Sequence, residues 1–217
     1  MGSPPTTAPS ASRRAYDHVR RGLLDGTLAD GDLLSEGGVA AAVGVSRTPV
    51  REAFLQLEAE GLLALYPKRG ALVLPVTARE AREMFAARAL VEADALRTVL
   101  RRPADPALLA ELRAILDDQR RLLGTGDLVA SAGADRRLHR AWVAAAGNDV
   151  LLRFFDGLRD RQERMTVGML RRGGVRPAVL IDEHAAIVDA VEARDADRAA
   201  TLVAEHLAAA RVAASGD

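Results

Sequence analysis

Apolar residues recur at helical spacing along most of this chain, with one clear interruption. Tyr16, Val19, Leu23 and Leu24 share a helical face that ends at Gly26, and Val39, Ala40 and Val43 form a second short set ending at Gly44. A third helix is predicted from Ser46. Ser46 or Thr48 can cap it, Pro49 is tolerated in its first turn, and Val50, Phe54 and Leu57 form its buried face. After Gly61 the period changes. Residues 62–66 and 71–74 are short extended runs around Pro67-Lys68-Arg69-Gly70, which predicts a β-hairpin.

Beyond Pro75 and Val76 the pattern is helical throughout. Thr77 and Glu80 have capping-box spacing and open a long helix running to Arg102, before Pro103. Asp105-Pro106 opens a second helix that ends at Gly124, and Asp127 a third that ends near Gly147. Asn148 can cap a fourth reaching Arg171. Pro177 lies in the first turn of a fifth, and Asp195 or Asp197 caps a sixth ending around Ala213. Residues 77–217 are therefore expected to form an all-α, six-helix antiparallel bundle. Residues 13–75 should form a smaller unit of three helices and the hairpin, and the Pro-, Ser- and Thr-rich residues 1–12 a disordered tail.

Composition narrows the picture without naming a function. A length of 217 residues suits two modest domains, and 49% apolar with only 3% aromatic residues fits a packed, mostly α protein. The absence of cysteine excludes disulfides, thiolate metal sites and cysteine nucleophiles. No apolar run can span a bilayer, and the first residues lack the basic and apolar segments of a secretory signal, so a cytoplasmic protein with no membrane partner is expected. The formal net charge of zero gives no global electrostatic footprint of nucleic-acid binding. Any such role must rest on local sequence.

That local sequence is EGGVAAAVGVSRTPVREAFLQLEAEGLLALYPKRG, from Glu36 to Gly70, which runs helix, glycine turn, helix and basic-tipped hairpin in winged helix-turn-helix order. The start of its second helix presents Ser46, Arg47, Thr48 and Arg51 together. Hydroxyls and backbone N–H groups at a helix N-terminus suit phosphate oxygens. Arg47 and Arg51 have the reach and the planar fork to contact guanine edges in a major groove. Lys68, Arg69 and Gly70 at the hairpin tip can follow the DNA backbone or enter a minor groove. Taken singly, Arg51 is also readable as a solvated helix charge and Gly70 as a turn residue. The segment VSRTPVREAFLQLEAEGLL closely resembles the signature of the GntR family of bacterial regulators, a resemblance that extends from Tyr16 to Val73. It departs at Gly37-Gly38, where the family often carries a polar or basic residue.

In the third bundle helix, Leu128, Ala132, Asp135, Leu138, His139 and Trp142 fall on one stripe. Asp135 and His139 thus face the core, where an isolated carboxylate is strongly disfavoured. His184 lies between Leu180 and Ile187, and His206 follows Leu202 at i+4, so both also sit on apolar stripes. Three imidazoles and a carboxylate suit a borderline divalent ion such as zinc, with nickel, manganese or iron as alternatives. Each histidine singly can instead hydrogen-bond a backbone carbonyl, the reading kept for His18. The spacing resembles the C-terminal ligand domain (FCD type) of the FadR branch of the GntR family. The resemblance assigns Asp135, His139, His184 and His206 as metal ligands, and six helices look most like its VanR-type subgroup.

Arg88 lies on the inward stripe of the first bundle helix and needs an anionic partner, which Glu92 at i+4 could supply. The R-x-x-x-E pattern resembles one whose arginine faces an effector pocket. A homodimeric, ligand-responsive repressor is therefore expected, with a palindromic double-stranded DNA operator and a small carboxylate or sugar-acid effector held by the metal and Arg88. Two alternatives stay open: a regulator for which the metal itself is the signal, and a metalloenzyme acting on a carboxylic acid.

Overall fold

The computed structural model describes residues 9–173 and 176–215, in two compact units that divide between Pro75 and Val76. The first unit contains α1 (Ala11–Asp25), β1 (Leu33–Leu34), α2 (Glu36–Val43), α3 (Arg47–Ala59), β2 (Leu63–Tyr66) and β3 (Gly70–Val73). Helix α1 begins inside the stretch expected to be a tail, because Ser10 caps it by accepting a hydrogen bond from the Arg13 N–H at 3.1 Å. Residues 1–8 of that expectation lie outside the described residues. Val50, Ala53, Phe54 and Leu57 turn one face of α3 into the core, against Val19 and Leu23 of α1 and Leu63 and Val73 of the sheet.

The hairpin has a third strand that sequence patterning missed. β1 pairs antiparallel with β3, and the sheet order is β1-β3-β2. Two residues are too few to show alternation. This pairing also gives Gly70 a structural reason: its φ is +111°, and an added Cβ would stand 2.1 Å from the Leu34 carbonyl oxygen.

The second unit contains α4 (Ala78–Arg101), α5 (Pro106–Leu122), α6 (Leu128–Ala145), α7 (Asp149–Gly157), α8 (Arg159–Arg171), α9 (Pro177–Glu192) and α10 (Ala196–Ser215). The caps fall where the sequence places them. Thr77 and Glu80 form a reciprocal capping box, and Asp105, Asp127, Asn148 and Asp195 each accept backbone N–H bonds at a helix start. Helices α4 and α10 pack along one another through small residues, including Ala81 and Ala95 on one and Ala199 and Ala210 on the other.

The expected fourth bundle helix is two helices. Leu158 interrupts it at φ −85°, ψ −4°, and its N–H bonds Phe155 O instead of the carbonyl four residues back. Gly157 weakens the helix at this point. Asp156 is also held by Arg136 at 2.5 Å and Arg140 at 2.8 Å, fixing the end of α7 against α6. The described residues of this unit thus contain seven helical segments, and six only if α7 and α8 are counted as one broken helix. The count that suggested the VanR-type subgroup depends on that choice. No helix is long and apolar enough to cross a membrane among the described residues.

Candidate functional site

In the second unit, α6, α9 and α10 bring four ligand-type side chains to one point: Asp135 and His139 from α6, His184 from α9 and His206 from α10. One oxygen or nitrogen from each lies within 4.8 Å of all the others. His184 Nε2 is 3.3 Å from the Nε2 of both His139 and His206, and 3.5 Å from Asp135 Oδ1. The three imidazoles are buried, and Asp135 keeps a 14% exposed side chain.

The outward nitrogens explain the ring orientations. His139 Nδ1 meets Glu92 Oε2 at 2.5 Å, His184 Nδ1 meets Gln119 Oε1 at 3.0 Å, and His206 Nδ1 meets Glu183 Oε2 at 2.7 Å. Each partner is an acceptor, so each Nδ1 carries the proton and donates it. In a neutral ring each Nε2 is then a bare lone pair. Three such lone pairs cannot hydrogen-bond one another, and with Asp135 they concentrate negative potential where a cation would sit. Second acceptors that fix ring tautomers are how proteins orient histidine ligands. The donor set fits a divalent ion of intermediate softness.

Electrostatics agree with neutral rings at His139 and His184. Burial pushes His139 below the ordinary histidine value, only partly offset by Glu92. Burial also drives His184 well below it, reinforced by His206 and His139. Glu92 goes the other way: burial would raise its carboxyl, yet Arg88 and His139 outweigh that and hold it at about 2.

Arg88 is buried in α4, where its Nε donates to Glu92 Oε1 at 2.8 Å. Its Nη2 is buried without a hydrogen-bond partner among the described residues. The guanidinium lies 5.6 Å from the Phe85 ring centre and 5.9 Å from that of Phe155. Trp142, fully buried, donates through Nε1 to Glu92 at 3.1 Å. Sequence reasoning read Glu92 only as a counter-ion for Arg88 and missed its bond to His139. It missed Gln119 and Glu183 entirely. Glu183 had a signal in standing next to His184; Gln119, one polar residue in an amphipathic helix, had none. His18 is exposed on α1, neither core nor ligand.

Beside the cluster is a cavity of about 320 Å³ between α5, α6, α8 and α9, with Gln119, Asp135 and His184 in its wall. Arg88 is not among its lining residues.

In the first unit, burial of the opposite face of α3 leaves Ser46, Arg47, Thr48 and Arg51 exposed at or near its N-terminus. Ser46 occupies the cap position but its side chain makes no capping bond, leaving the hydroxyl and the first N–H groups available. Lys68 and Arg69 are exposed at the hairpin tip, and they line a cleft of about 610 Å³ with Arg47, Arg51 and Gly70. The glycine pair has local roles. An added Cβ at Gly37 would meet the Arg47 guanidinium at 3.4 Å, and one at Gly38 would stand 3.0 Å from the Ser35 hydroxyl that caps α2.

Residues 11–73 match the profile of bacterial regulatory proteins of the gntR family, and residues 83–209 match that of the FCD domain. An HTH-type transcriptional regulator from an unstable DNA locus of Streptomyces ambofaciens is 34% identical over 91% of this chain and 82% of its own length. A protein of Paenarthrobacter nicotinovorans described as "Probable D-xylose utilization operon transcriptional repressor" is 30% identical, covering 94% of this chain and 88% of itself. A GntR-type protein of known crystal structure from Rhodococcus sp. RHA1 superposes with a TM-score of 0.79 at 26% identity, covering 96% of this chain and 99% of that one.

Proposed function

Since the chain belongs to the GntR family of bacterial regulatory proteins and carries an FCD domain, we propose that it is a homodimeric repressor controlled by a metal-held carboxylate effector. That it is a DNA-binding transcriptional regulator follows from the family, which also sets aside the metalloenzyme alternative. The finer reading assigns residues 13–75 to DNA recognition and 77–217 to the metal, the effector and dimerisation. Arg47 and Arg51 read guanine edges. Ser46, Thr48, Lys68, Arg69 and Gly70 face phosphates or the minor groove, and the dimer meets a palindromic operator.

In the second unit, Asp135, His139, His184 and His206 would hold one divalent ion, zinc first among the candidates. The observation that carries this reading is the inward turn of three Nε2 atoms beside Asp135, each ring held from behind by an acceptor. When bound, the ion supplies an electrophilic anchor for a carboxylate. Three neutral imidazoles and one aspartate leave it a net positive charge of about one. Arg88, whose buried Nη2 has no hydrogen-bond partner among the described residues, supports an anionic group on its side of the cluster. An effector that binds one arrangement of the bundle better than another shifts the DNA-binding population accordingly.

The test is elemental analysis of protein purified without chelator, combined with operator binding by fluorescence anisotropy. About one metal ion per chain is expected, falling to background in His184→Ala, with small carboxylic acids weakening operator binding only in the metal-loaded protein. Background metal in the unsubstituted chain would overturn the metal reading. A steep response of DNA affinity to metal, without any acid, would instead make the metal the signal.

A further inference from the structure

The cavity beside the cluster is chemically lopsided. Leu122, Leu128, Leu170, Pro177, Leu180 and Ile181 supply most of its large apolar side chains, whereas Gln119, Asp135 and His184 gather where it meets the metal-ligand side chains. Thr166, Ser131 and Asp127 add the other polar side chains, of which the Ser131 Oγ already donates to the Asp127 carbonyl at 2.9 Å and Asp127 Oδ1 already accepts the Ala130 N–H at 2.9 Å. Among the described residues no arginine or lysine is in the wall.

At the polar end, one atom points to a ligand. Gln119 gives its Oε1 to His184, so its amide Nε2 is left buried with no acceptor among the described residues. A buried N–H donor without a partner costs on the order of 1–3 kcal/mol, which an acceptor from a ligand would offset. The volume of about 320 Å³ is roughly twice that of a ~150 Å³ apolar cavity that takes benzene. It is therefore large enough for a ring with a short chain.

From this asymmetry we infer that the effector is a monocarboxylate with an apolar body, either an aryl-alkyl acid or a medium-length aliphatic one, rather than a sugar acid. Its body fills the leucine-lined cavity. Its carboxylate lies at the Gln119, Asp135 and His184 end, where Gln119 Nε2 donates to it and a bound ion would anchor it. The inference rests on the metal-held effector reading above and narrows it to one chemical class. A polyhydroxylated acid would have to bury several hydroxyls against leucine and isoleucine side chains that offer no hydrogen bond.

Isothermal titration calorimetry on the full chain loaded with zinc tests this with acetate, gluconate and 4-phenylbutyrate. Acetate carries the head alone, gluconate adds a hydroxylated body and 4-phenylbutyrate an apolar one. The expected result is that 4-phenylbutyrate binds at least about tenfold tighter than acetate, from burial of its added carbons, and tighter than gluconate. Ser131→Phe, which fills the cavity from α6, should reduce 4-phenylbutyrate to the level of acetate while leaving acetate unchanged. Gluconate binding as tightly as 4-phenylbutyrate would overturn the apolar-body assignment and leave the carboxylate-effector reading in place. An unchanged 4-phenylbutyrate affinity in Ser131→Phe would put the body elsewhere and overturn it too. Failure of all three acids to bind would overturn both. If Ser131→Phe does not fold, the order of the three acids on the unsubstituted chain decides alone.

Discussion

A carboxylate with no exposure to solvent stays ionised only when opposite charge and donors are held against it. Glu92 has the Arg88 guanidinium on one oxygen, and the His139 and Trp142 N–H groups on the other. Glu92→Gln keeps the shape but leaves Arg88 as an uncompensated buried charge. A loss of stability on the order of 3–5 kcal/mol is expected by urea denaturation. A loss below about 1 kcal/mol would mean that Arg88 finds another partner. On the surface proposed to face DNA the expectation is reversed. Arg47→Ala and Arg51→Ala remove exposed side chains, so each should leave stability within about 0.5 kcal/mol. Each should cost operator binding about 1–3 kcal/mol by fluorescence anisotropy, with relaxed discrimination at one base pair. Equal weakening on unrelated DNA would reassign that arginine to the phosphate backbone.

At the scale of single elements, two glycines with opposite surroundings give opposite predictions. Gly70→Ala would force a Cβ against the Leu34 carbonyl at a positive φ, so it should loosen the pairing of β1 with β3 and lower Tm. Gly133 sits within α6 with nothing within 4 Å of an added Cβ. Gly133→Ala should raise stability by about 0.5–1 kcal/mol through helix propensity alone, measurable by differential scanning calorimetry. A lower Tm in Gly133→Ala would show that another surface packs there. Elements of this kind were largely legible in the sequence, because caps and apolar stripes are local. Thr77, Asp105, Asp127 and Asn148 announced helix starts that the backbone then used. The break at Leu158 was not legible, since a single glycine in an amphipathic run marks a weak point without saying that Asp156 will be drawn to two arginines of α6. Residues β1 and Gln119 escaped for a related reason. Their roles depend on partners far away in sequence, Leu72 and His184 respectively.

For the whole molecule, acid should act through groups whose protonation differs between folded and unfolded chains. His139 and His184 are held below the ordinary value of 6.5. Above about pH 6.5 they are neutral in both states and contribute no pH dependence. Below it the unfolded chain takes up protons that the folded chain refuses, so stability falls as pH drops. Glu92, held at about 2 against 4.5, adds a loss of the same sign as pH falls from 4.5 toward 2. Each such proton is worth up to about 1.4 kcal/mol per pH unit. Chelator-treated protein should therefore show a urea midpoint that declines from about pH 6.5 downward, with a shallower decline in His184→Gln. A midpoint that stays level between about pH 7 and 5 would contradict neutral imidazoles in the folded bundle.

The cluster also imposes an order on biosynthesis. Its members and their acceptors come from α4, α5, α6, α9 and α10, so the set is drawn from the whole length of the second unit. A ribosome that has released α4 through α9 has delivered Asp135, His139, His184 and every acceptor behind the rings, but not His206. The nest of lone pairs closes only once α10 has emerged and docked along α4, so an ion captured earlier would be held by an incomplete set and lost more readily.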